Sequence, residues 1–504
     1  MLLESTISDI ENYPFLNPFR FENDPSKKYW HISTLESLLE ENWNSIEEGV
    51  TENREYLAAR EKIFSSSVFQ YFTDQKNRII QESLETDNSF QILGAYTCLL
   101  DSIVQTAFDY SFIDIPLIKE RLVEELNHEL NYKQKNLPEK KEKLKLLKEQ
   151  ILEMEKNLES GSTSSREYRY FQEIESQHES EIRVLEERIE ELQQLIPQIQ
   201  DFTNDKNFVL NHLVIFARGG YGRAELGLSS DRDLGYCLDT NRLNNGEAEM
   251  LRQLIVHIEN LLRNSGVETA HQYFEIDEDL SRFDEVNTLH TIPSILESRV
   301  LLGSESLATN LKNRFFQVIT FEPYVLNLVR SFSESKEPEL NRMDLKMDYG
   351  GLRSLQIPLW ITAATFGIFP SQTADLLAFL IQKHLLSHRQ ALKLCQALEF
   401  LHDLRNFSAV AKEHYFDDEA RDIGCVQENL LQDQLNDSLE RLYLLKKNRF
   451  KNVDEFDRFR LQMMEQIGEL SKVILDRLLD RTIVRTFSNI PAAAQLGNRR
   501  VVEI

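Results

Sequence analysis

The residue types best suited to chemistry lie in one stretch, Ala217-Arg-Gly-Gly-Tyr-Gly-Arg-Ala-Glu-Leu-Gly-Leu-Ser-Ser-Asp-Arg-Asp-Leu-Gly235. An apolar run that ends in Gly219-Gly220 brings bare backbone to a sharp turn, where amides can approach phosphate oxygens with no Cβ in the way. Two or three glycines after a strand also describe a plain tight turn, and the glycines alone leave both readings open. Asp231 and Asp233 add a second constraint. Residues i and i+2 of a strand share a face, so these carboxylates would stand close enough to share a divalent cation, and two such anions repel unless a cation sits between them. Mg2+ (or Mn2+) suits the place, because it takes few carboxylates and completes its shell with phosphate oxygens. A metal there would serve nucleotidyl transfer, activating the attacking oxygen and neutralising charge on the departing pyrophosphate. An isolated Asp-x-Asp is common loop decoration; the ordered set of strand, Gly-Gly turn and Ser-Asp-x-Asp-Leu is far more specific.

The elements that must hold these residues follow from periodicity. The β-branched and aromatic runs Phe208-Val-Leu and Leu213-Val-Ile-Phe216 predict a buried strand, and Leu234 to Leu238 a second. A helix at about 247 to 264, an acidic and less regular stretch around Tyr273 to Glu285, and a helix over Pro293 to Leu302 come next. Helical spacing returns over 306 to 335 and 355 to 480, ahead of a polar tail. Residues 32 to 135 are helical throughout, with Leu38, Leu39 and Trp43 on one face and Ile92, Tyr96, Leu99, Leu100 and Ile103 on another. Between them, Leu137, Leu144, Ile151 and Leu158 keep one seam position, with Leu147 and Met154 supplying the other. After the polar break Glu159 to Ser165 a second seam runs Ile182, Leu185, Ile189, Leu192, Ile196. This predicts an antiparallel coiled-coil hairpin with Pro138 in the arm's first turn, where a missing amide costs little. Periodicity does not choose between a solvated spacer and a docking arm.

The expected division is a helical domain at 1–135, the hairpin at 136–200, a small α/β unit at 205–340, a C-terminal helical substrate-binding domain at 341–487 and a tail at 488–504. The class is α+β, predominantly helical. Composition agrees: 504 residues, 41% hydrophobic and 28% charged, describe a globular chain with several cores. A net charge of −26 disfavours generic binding to nucleic acid or anionic lipid, while leaving room for a local basic pocket. Cys98, Cys237, Cys395 and Cys425 are scattered without a CxxC pair, as inert thiols would be. Glu4, Asp9 and Glu11 stand where a signal peptide needs basic residues, and the apolar stretch Leu355 to Pro370 is broken by Gln356, Pro358, Thr362 and Thr365. A soluble cytoplasmic protein is expected, with no membrane partner.

Gly219-Gly-Tyr-Gly-Arg-Ala-Glu-Leu-Gly-Leu-Ser-Ser-Asp-Arg-Asp-Leu234 resembles the nucleotidyltransferase core of the PII signal-protein uridylyltransferases, members of the DNA polymerase β-like superfamily. Downstream, Asp344-Leu-Lys-Met-Asp-Tyr-Gly-Gly-Leu-Arg-Ser-Leu-Gln356 resembles that family's Lys-x-x-x-Gly-Gly-Leu-Arg-Asp-x-Gln element. The resemblance covers roughly residues 205 to 480, and loosely the helix at 89 to 115. It implies a polymerase β-like mixed sheet, with Gly219 and Gly220 lining a triphosphate, Asp231 and Asp233 binding Mg2+, and Ser230 bracing the acidic strand. Arg223 and Glu225 match Gly-Arg-x-Glu-Leu, either as an ion pair that fixes the loop or with Arg223 on the nucleotide. Lys346 and Arg353 are candidates for phosphate contact, against a surface pairing with Asp344 or Asp348. The superfamily's third carboxylate has Glu268 as its nearest candidate.

Two departures stand out: Gln272-Tyr-Phe-Glu275 occupies a place where the family commonly has an Arg, and Ser354 replaces the usual Asp. Full-length members also carry an HD hydrolase domain and small-molecule-sensing ACT domains, for which the residues after 400 do not supply the length. His402-Asp403 reads as part of a helix face, with Arg405 and Asn406 shaping the cleft. The expected activity is Mg-dependent transfer of UMP or AMP from a nucleoside triphosphate to a hydroxyl, with a protein acceptor. The alternative is a catalytically inactive nucleotide-binding regulator that acts through its helical and coiled-coil regions.

Overall fold

The computed structural model describes Leu35, Leu39 and residues 53–85, 89–159, 165–228, 230–276, 285–318, 321–338, 344–370, 372–419 and 450–484. Leu38, Trp43, the centre of the polar break, most of the acidic stretch after Glu275, Cys425 and the tail lie outside them.

Four strands form one mixed sheet: β1 (Leu213–Ala217), β2 (Asp233–Leu238), β3 (Ala270–Glu275) and β4 (Arg299–Gly303), in the order β3-β2-β1-β4. β1 runs antiparallel to β2 and β4, and β2 parallel to β3. The Leu-Val-Ile-Phe-Ala run of β1 is buried along its whole length because both faces are covered. Leu213, Ile215 and Ala217 enter one core with Leu234, Tyr236 and Leu238; Val214 and Phe216 enter a second with Cys237 and Phe274. Phe216 lies so close over β2 that a Cβ on Gly235 would sit 2.2 Å from its ring, so only glycine fits there.

The first core is completed by helices α1 (Asn53–Glu85), α2 (Ser89–Ile113), the start of α3 (Ile115–Glu159) and the end of α4 (Ser165–Gln200). The short α5 (Lys206–His212), the one-turn α6 (Gly219–Gly222) and the amphipathic crossover α7 (Asn245–Asn264) also contribute to it. The second core is built from α8 (Glu285–Leu296), α9 (Glu305–Val318), α10 (Phe321–Ser333), α11 (Leu352–Phe366), α12 (Thr373–Gln382), α13 (His388–Glu419) and α14 (Val453–Val484). The sheet is thus a wall between an N-terminal and a C-terminal helical body. No described helix is long and apolar enough to cross a membrane.

Several expectations are corrected. Phe208-Val-Leu is helical, in α5, because the Asp205 carboxylate caps it by accepting from the Asn207 amide at 2.9 Å. Arg299 to Leu302 is strand β4, since β1 offers it a partner edge that local spacing does not reveal. Tyr273 to Glu275 is regular strand; as an outer strand with exposed polar residues, β3 lacks the apolar run that marks β1. Pro138 lies inside a 45-residue helix that begins at Ile115, so no element starts at 136; the cost is the bond its absent amide would have made to the Gln134 carbonyl.

α3 and α4 lie antiparallel. Leu147, Ile151, Ile182, Ile189, Leu192 and Ile196 are buried between or beneath them. The flanks carry Lys140–Glu181 at 2.6 Å, Lys148–Glu179 at 2.6 Å and a two-bond Arg188–Glu129 pair. Exposed pairs of this kind contribute about 0–1 kcal/mol each, so the apolar seam does most of the holding.

Candidate functional site

β1 delivers the chain to Arg218 in extended geometry and then to Gly219 at φ +54°. A Cβ built on Gly219 would lie 3.1 Å from Asp233 Oδ2. The bend and the acid are therefore in direct van der Waals reach, and a side chain on the bend would press on the carboxylate. The first amides of α6 lack helical acceptors, as at any helix start, and Arg223 closes the turn by donating its amide to Gly219 O at 3.0 Å.

Asp233 opens β2, whereas Asp231 precedes it and is exposed, so the expectation that both lie within a strand is corrected. The ladder nevertheless reaches past the strand's first residue: the Ala270 amide donates to Arg232 O at 3.1 Å. Arg232 sends its guanidinium toward the N-terminal body, with Nη2 donating to Tyr96 Oη at 3.0 Å and Cζ 5.2 Å from the Phe72 ring. By the alternation of extended backbone, Asp231 and Asp233 project to the other side. Burial holds the Asp233 carboxyl above its ordinary range; Arg218 opposes this, Asp231 adds to it, and Lys346 and Arg223 oppose it. The donor set fits a hard divalent cation: two carboxylates at an exposed rim, with no sulfur or imidazole among them.

Glu268 does not join that pair. It is exposed in the loop before β3, its carbonyl accepts from Arg232 Nη1 at 3.2 Å, and no group of three acidic, histidine or cysteine residues forms a metal-binding cluster among the described residues. The side chain that does reach Asp233 is Arg218, which spacing did not single out. It is buried, donates from Nη1 to Gln272 Oε1 at 2.5 Å and from Nε to Leu234 O at 3.1 Å, and brings Nη2 to 3.9 Å from Asp233 Oδ1. Its signal was its place beside Gly219. Ser230 is half-buried in the loop ahead of the acids, its amide donating to Gly227 O at 2.9 Å. Asn406 of α13 steadies the same loop by accepting from the Leu228 amide at 3.3 Å.

Arg223 is buried between two carboxylates, Glu225 at 2.8 Å and Glu297 at 2.6 Å. Of the two readings the sequence left open, the geometry is that of the ion pair. Burial would raise the Glu225 carboxyl, but Arg223, His402 and hydrogen bonds from Arg223 and Thr373 bring it below its ordinary value. Glu297 stays above it, burial outweighing Arg223, and accepts also from Trp360 Nε1 at 2.7 Å. His402 is buried against Phe90, and burial holds its imidazole neutral, its pKa pushed down to about 4. Sequence reasoning missed Glu297 and Trp360, which lie far from Arg223 along the chain and in neither motif.

Three cations of the C-terminal body lie near the acids: Lys346 acts on Asp233 and Asp231, Arg405 on Asp231, and Arg353 on Lys346. Lys346 is exposed on the loop before α11; burial and then the charges of Arg353 and Arg405 lower its ammonium, with Asp231 opposing. Arg353, on the first turn of α11, is pushed down to about 10 by burial and by Arg223. Arg405, on α13, is lowered by burial, with Asp344 opposing. None of the three is ion-paired to a carboxylate among the described residues. Asp344 spends its Oδ1 on the amides of Lys346 and Met347, and Asp348 accepts from the Asp344 amide, so neither takes part in the surface pairing considered from sequence. Ser354, in place of the expected Asp, is buried and accepts from the Gly350 amide at 2.9 Å, closing the turn that starts α11. Two carboxylates with three nearby cations that make no ion pair among the described residues can hold a polyanion together with a metal ion.

A family model described as GlnD PII-uridylyltransferase matches residues 330–474, which hold Lys346, Arg353 and Arg405 but not the glycine turn. Among curated proteins, the bifunctional uridylyltransferase/uridylyl-removing enzyme of Rhodospirillum rubrum is 24% identical over 309 residues, 58% of this chain and 30% of that protein. The enzyme of the same name from Ectopseudomonas mendocina is 30% identical over 206 residues, 38% and 21% of the two chains. That from Azospirillum brasilense is 24% identical over 302 residues, 57% and 29%. The chain spans less than a third of the length of these relatives.

Proposed function

We propose that this PII-uridylyltransferase-like chain transfers a nucleoside monophosphate, UMP or AMP, from a nucleoside triphosphate to a hydroxyl on a protein. The observation that carries the reading is the Asp233 carboxylate set against the Gly219 bend, 3.1 Å from where a Cβ would be, with Lys346, Arg353 and Arg405 nearby and ion-paired to no carboxylate among the described residues. Asp231 and Asp233 would hold Mg2+ or Mn2+, which when bound supplies charge neutralisation on the phosphates and activation of the attacking oxygen. The rest is done by the chain. The free amides at Gly219 and Gly220 donate hydrogen bonds to phosphate oxygens. The three cations, each raised in energy by its neighbours' charge, gain by binding a polyanion and orient it. Arg218 holds Asp233 in place from the β3 side, and Ser230 and Asn406 keep the intervening loop closed.

The mixed sheet, with its glycine turn and acid-headed β2, supports a polymerase β-like core. The acceptor class comes from the family's name, a PII-like signal protein, and from a net charge that disfavours nucleic acid. The paired α3 and α4, read as a coiled-coil arm, offer that acceptor a docking surface, and the setting is the cytoplasm. A second reading has observations of its own: Glu268 stands apart from the acidic pair, and Gln272 and Ser354 replace an Arg and an Asp, as in a nucleotide-binding regulator that no longer transfers. The test is to incubate the chain with each α-labelled nucleoside triphosphate, Mg2+ and a candidate acceptor. The expected result is labelled protein that disappears in the Asp231→Ala, Asp233→Ala variant; metal-dependent binding without any label would support the regulator instead.

A further inference from the structure

Arg223 and Arg353 are neighbouring arginines held in opposite ways. Arg223 is clamped by two carboxylates, its charge neutralised and its Nε and Nη1 donors engaged. Arg353 makes no ion pair with a carboxylate among the described residues, feeling Glu297 only at longer range: its Cζ lies 4.8 Å from the centre of the Trp360 ring, one helical face and two turns along α11. Its Nε is buried with no hydrogen-bond partner. An aromatic face attracts a guanidinium and fixes its plane while leaving its charge and its N–H groups unspent. Trp360 is itself fixed, because it is buried and its Nε1 donates to Glu297 Oε1 at 2.7 Å, the other oxygen of that carboxylate accepting from Arg223.

We infer that Trp360 is a positioning residue: anchored from behind by Glu297, its ring holds Arg353 poised with free donors for the phosphates, so that one buried carboxylate ties the anion seat to the loop of the glycine turn. This rests on the proposed function, since it assigns Arg353 to a phosphate ligand. It also explains why the two motifs, far apart in the chain, must fold together: Glu297 bonds Arg223 of the first and Trp360, seven residues after Arg353 of the second.

The test is a double-mutant cycle on the full chain, reading the affinity for inorganic tripolyphosphate with Mg2+ by calorimetry. Trp360→Leu is expected to weaken binding about five- to tenfold, Arg353→Ala at least as much, and the double variant no more than Arg353→Ala alone. A tryptophan that merely supports the fold would weaken binding equally in both backgrounds, and that additivity would overturn the inference. Should Trp360→Leu not fold, Trp360→Phe runs the same cycle: it keeps a ring and loses the anchor, with about a two- to threefold loss that vanishes beside Arg353→Ala; a loss that persists there overturns the inference. In turnover, the effect is expected in KM for the nucleotide rather than in kcat. If the unaltered chain binds no tripolyphosphate, the proposed function fails and takes this assignment with it; binding that is retained without coupling between Trp360 and Arg353 overturns the inference alone.

Discussion

At Gly219 an alanine would meet two obstacles at once: a backbone at φ +54°, which costs an L-residue about 1–2 kcal/mol, and a methyl 3.1 Å from Asp233 Oδ2. Gly219→Ala is accordingly expected to lower stability by about 1–2 kcal/mol and to cut metal-dependent nucleotide binding, measured by chemical unfolding and by calorimetry. Asp233→Ala is expected to leave the fold intact and to reduce label transfer at least about a hundredfold, since it removes a metal-binding carboxylate beside the phosphates. That the bend and Asp233 lie together was legible from spacing alone, because the bend directly follows β1 and the acids lead into β2, its antiparallel neighbour. The partners of these residues were not. Arg218 reaches Gln272 and Arg223 reaches Glu297 across sheet neighbours that are distant in sequence. The acid offered as a third ligand, Glu268, was nearest along the chain and lies off the cluster in space.

The elements are joined by buried ionic contacts whose loss should be felt. Glu297→Gln removes the charge that partners Arg223 and is expected to destabilise the chain by about 3–5 kcal/mol, read from the denaturation midpoint. On the other side of the sheet, His257 of α7 lies between Glu61 of α1 and Asp114, the residue between α2 and α3. Burial would lower its imidazole, but the hydrogen bonds it donates to Asp114 and Glu61 outweigh it and leave the pKa raised. A raised folded-state pKa means that the stabilisation is complete below the unfolded value of about 6.5 and fades as pH climbs through the folded value. Stability is therefore expected to fall as pH rises from about 6.5 through the raised folded value, and His257→Gln to flatten the dependence, in unfolding measured from pH 5 to 9. Elements that were misread fail for one reason: α5, β3 and β4 are short, and a cap or a neighbouring strand decided their type where periodicity could not.

As a whole, the molecule sets a sheet between two helical bodies and extends α3 and α4 as an antiparallel pair. The apolar spacing predicts two helices there, and Leu147, Ile151, Ile189 and Leu192 are buried within the pair, while Leu137, Leu144, Met154 and Leu185 are half-buried. The helix's true start at Ile115 was hidden, because Pro138 imitates a first turn. Replacing residues 140–185 with a short Gly/Ser linker keeps the Arg188–Glu129 pair and the base of the arm. If the arm docks the acceptor, the shortened chain is expected to bind nucleotide and metal as before yet lose labelling of the protein acceptor; a spacer would leave labelling unchanged. The central claim concerns a smaller distance. Paramagnetic broadening of the 31P resonances of a non-hydrolysable nucleoside triphosphate by Mn2+ reports whether the metal and the phosphates meet on this chain. Strong broadening that is lost in the Asp231→Ala, Asp233→Ala variant is the expected result. Broadening that survives both substitutions, or nucleotide binding that Mn2+ never perturbs, would contradict it.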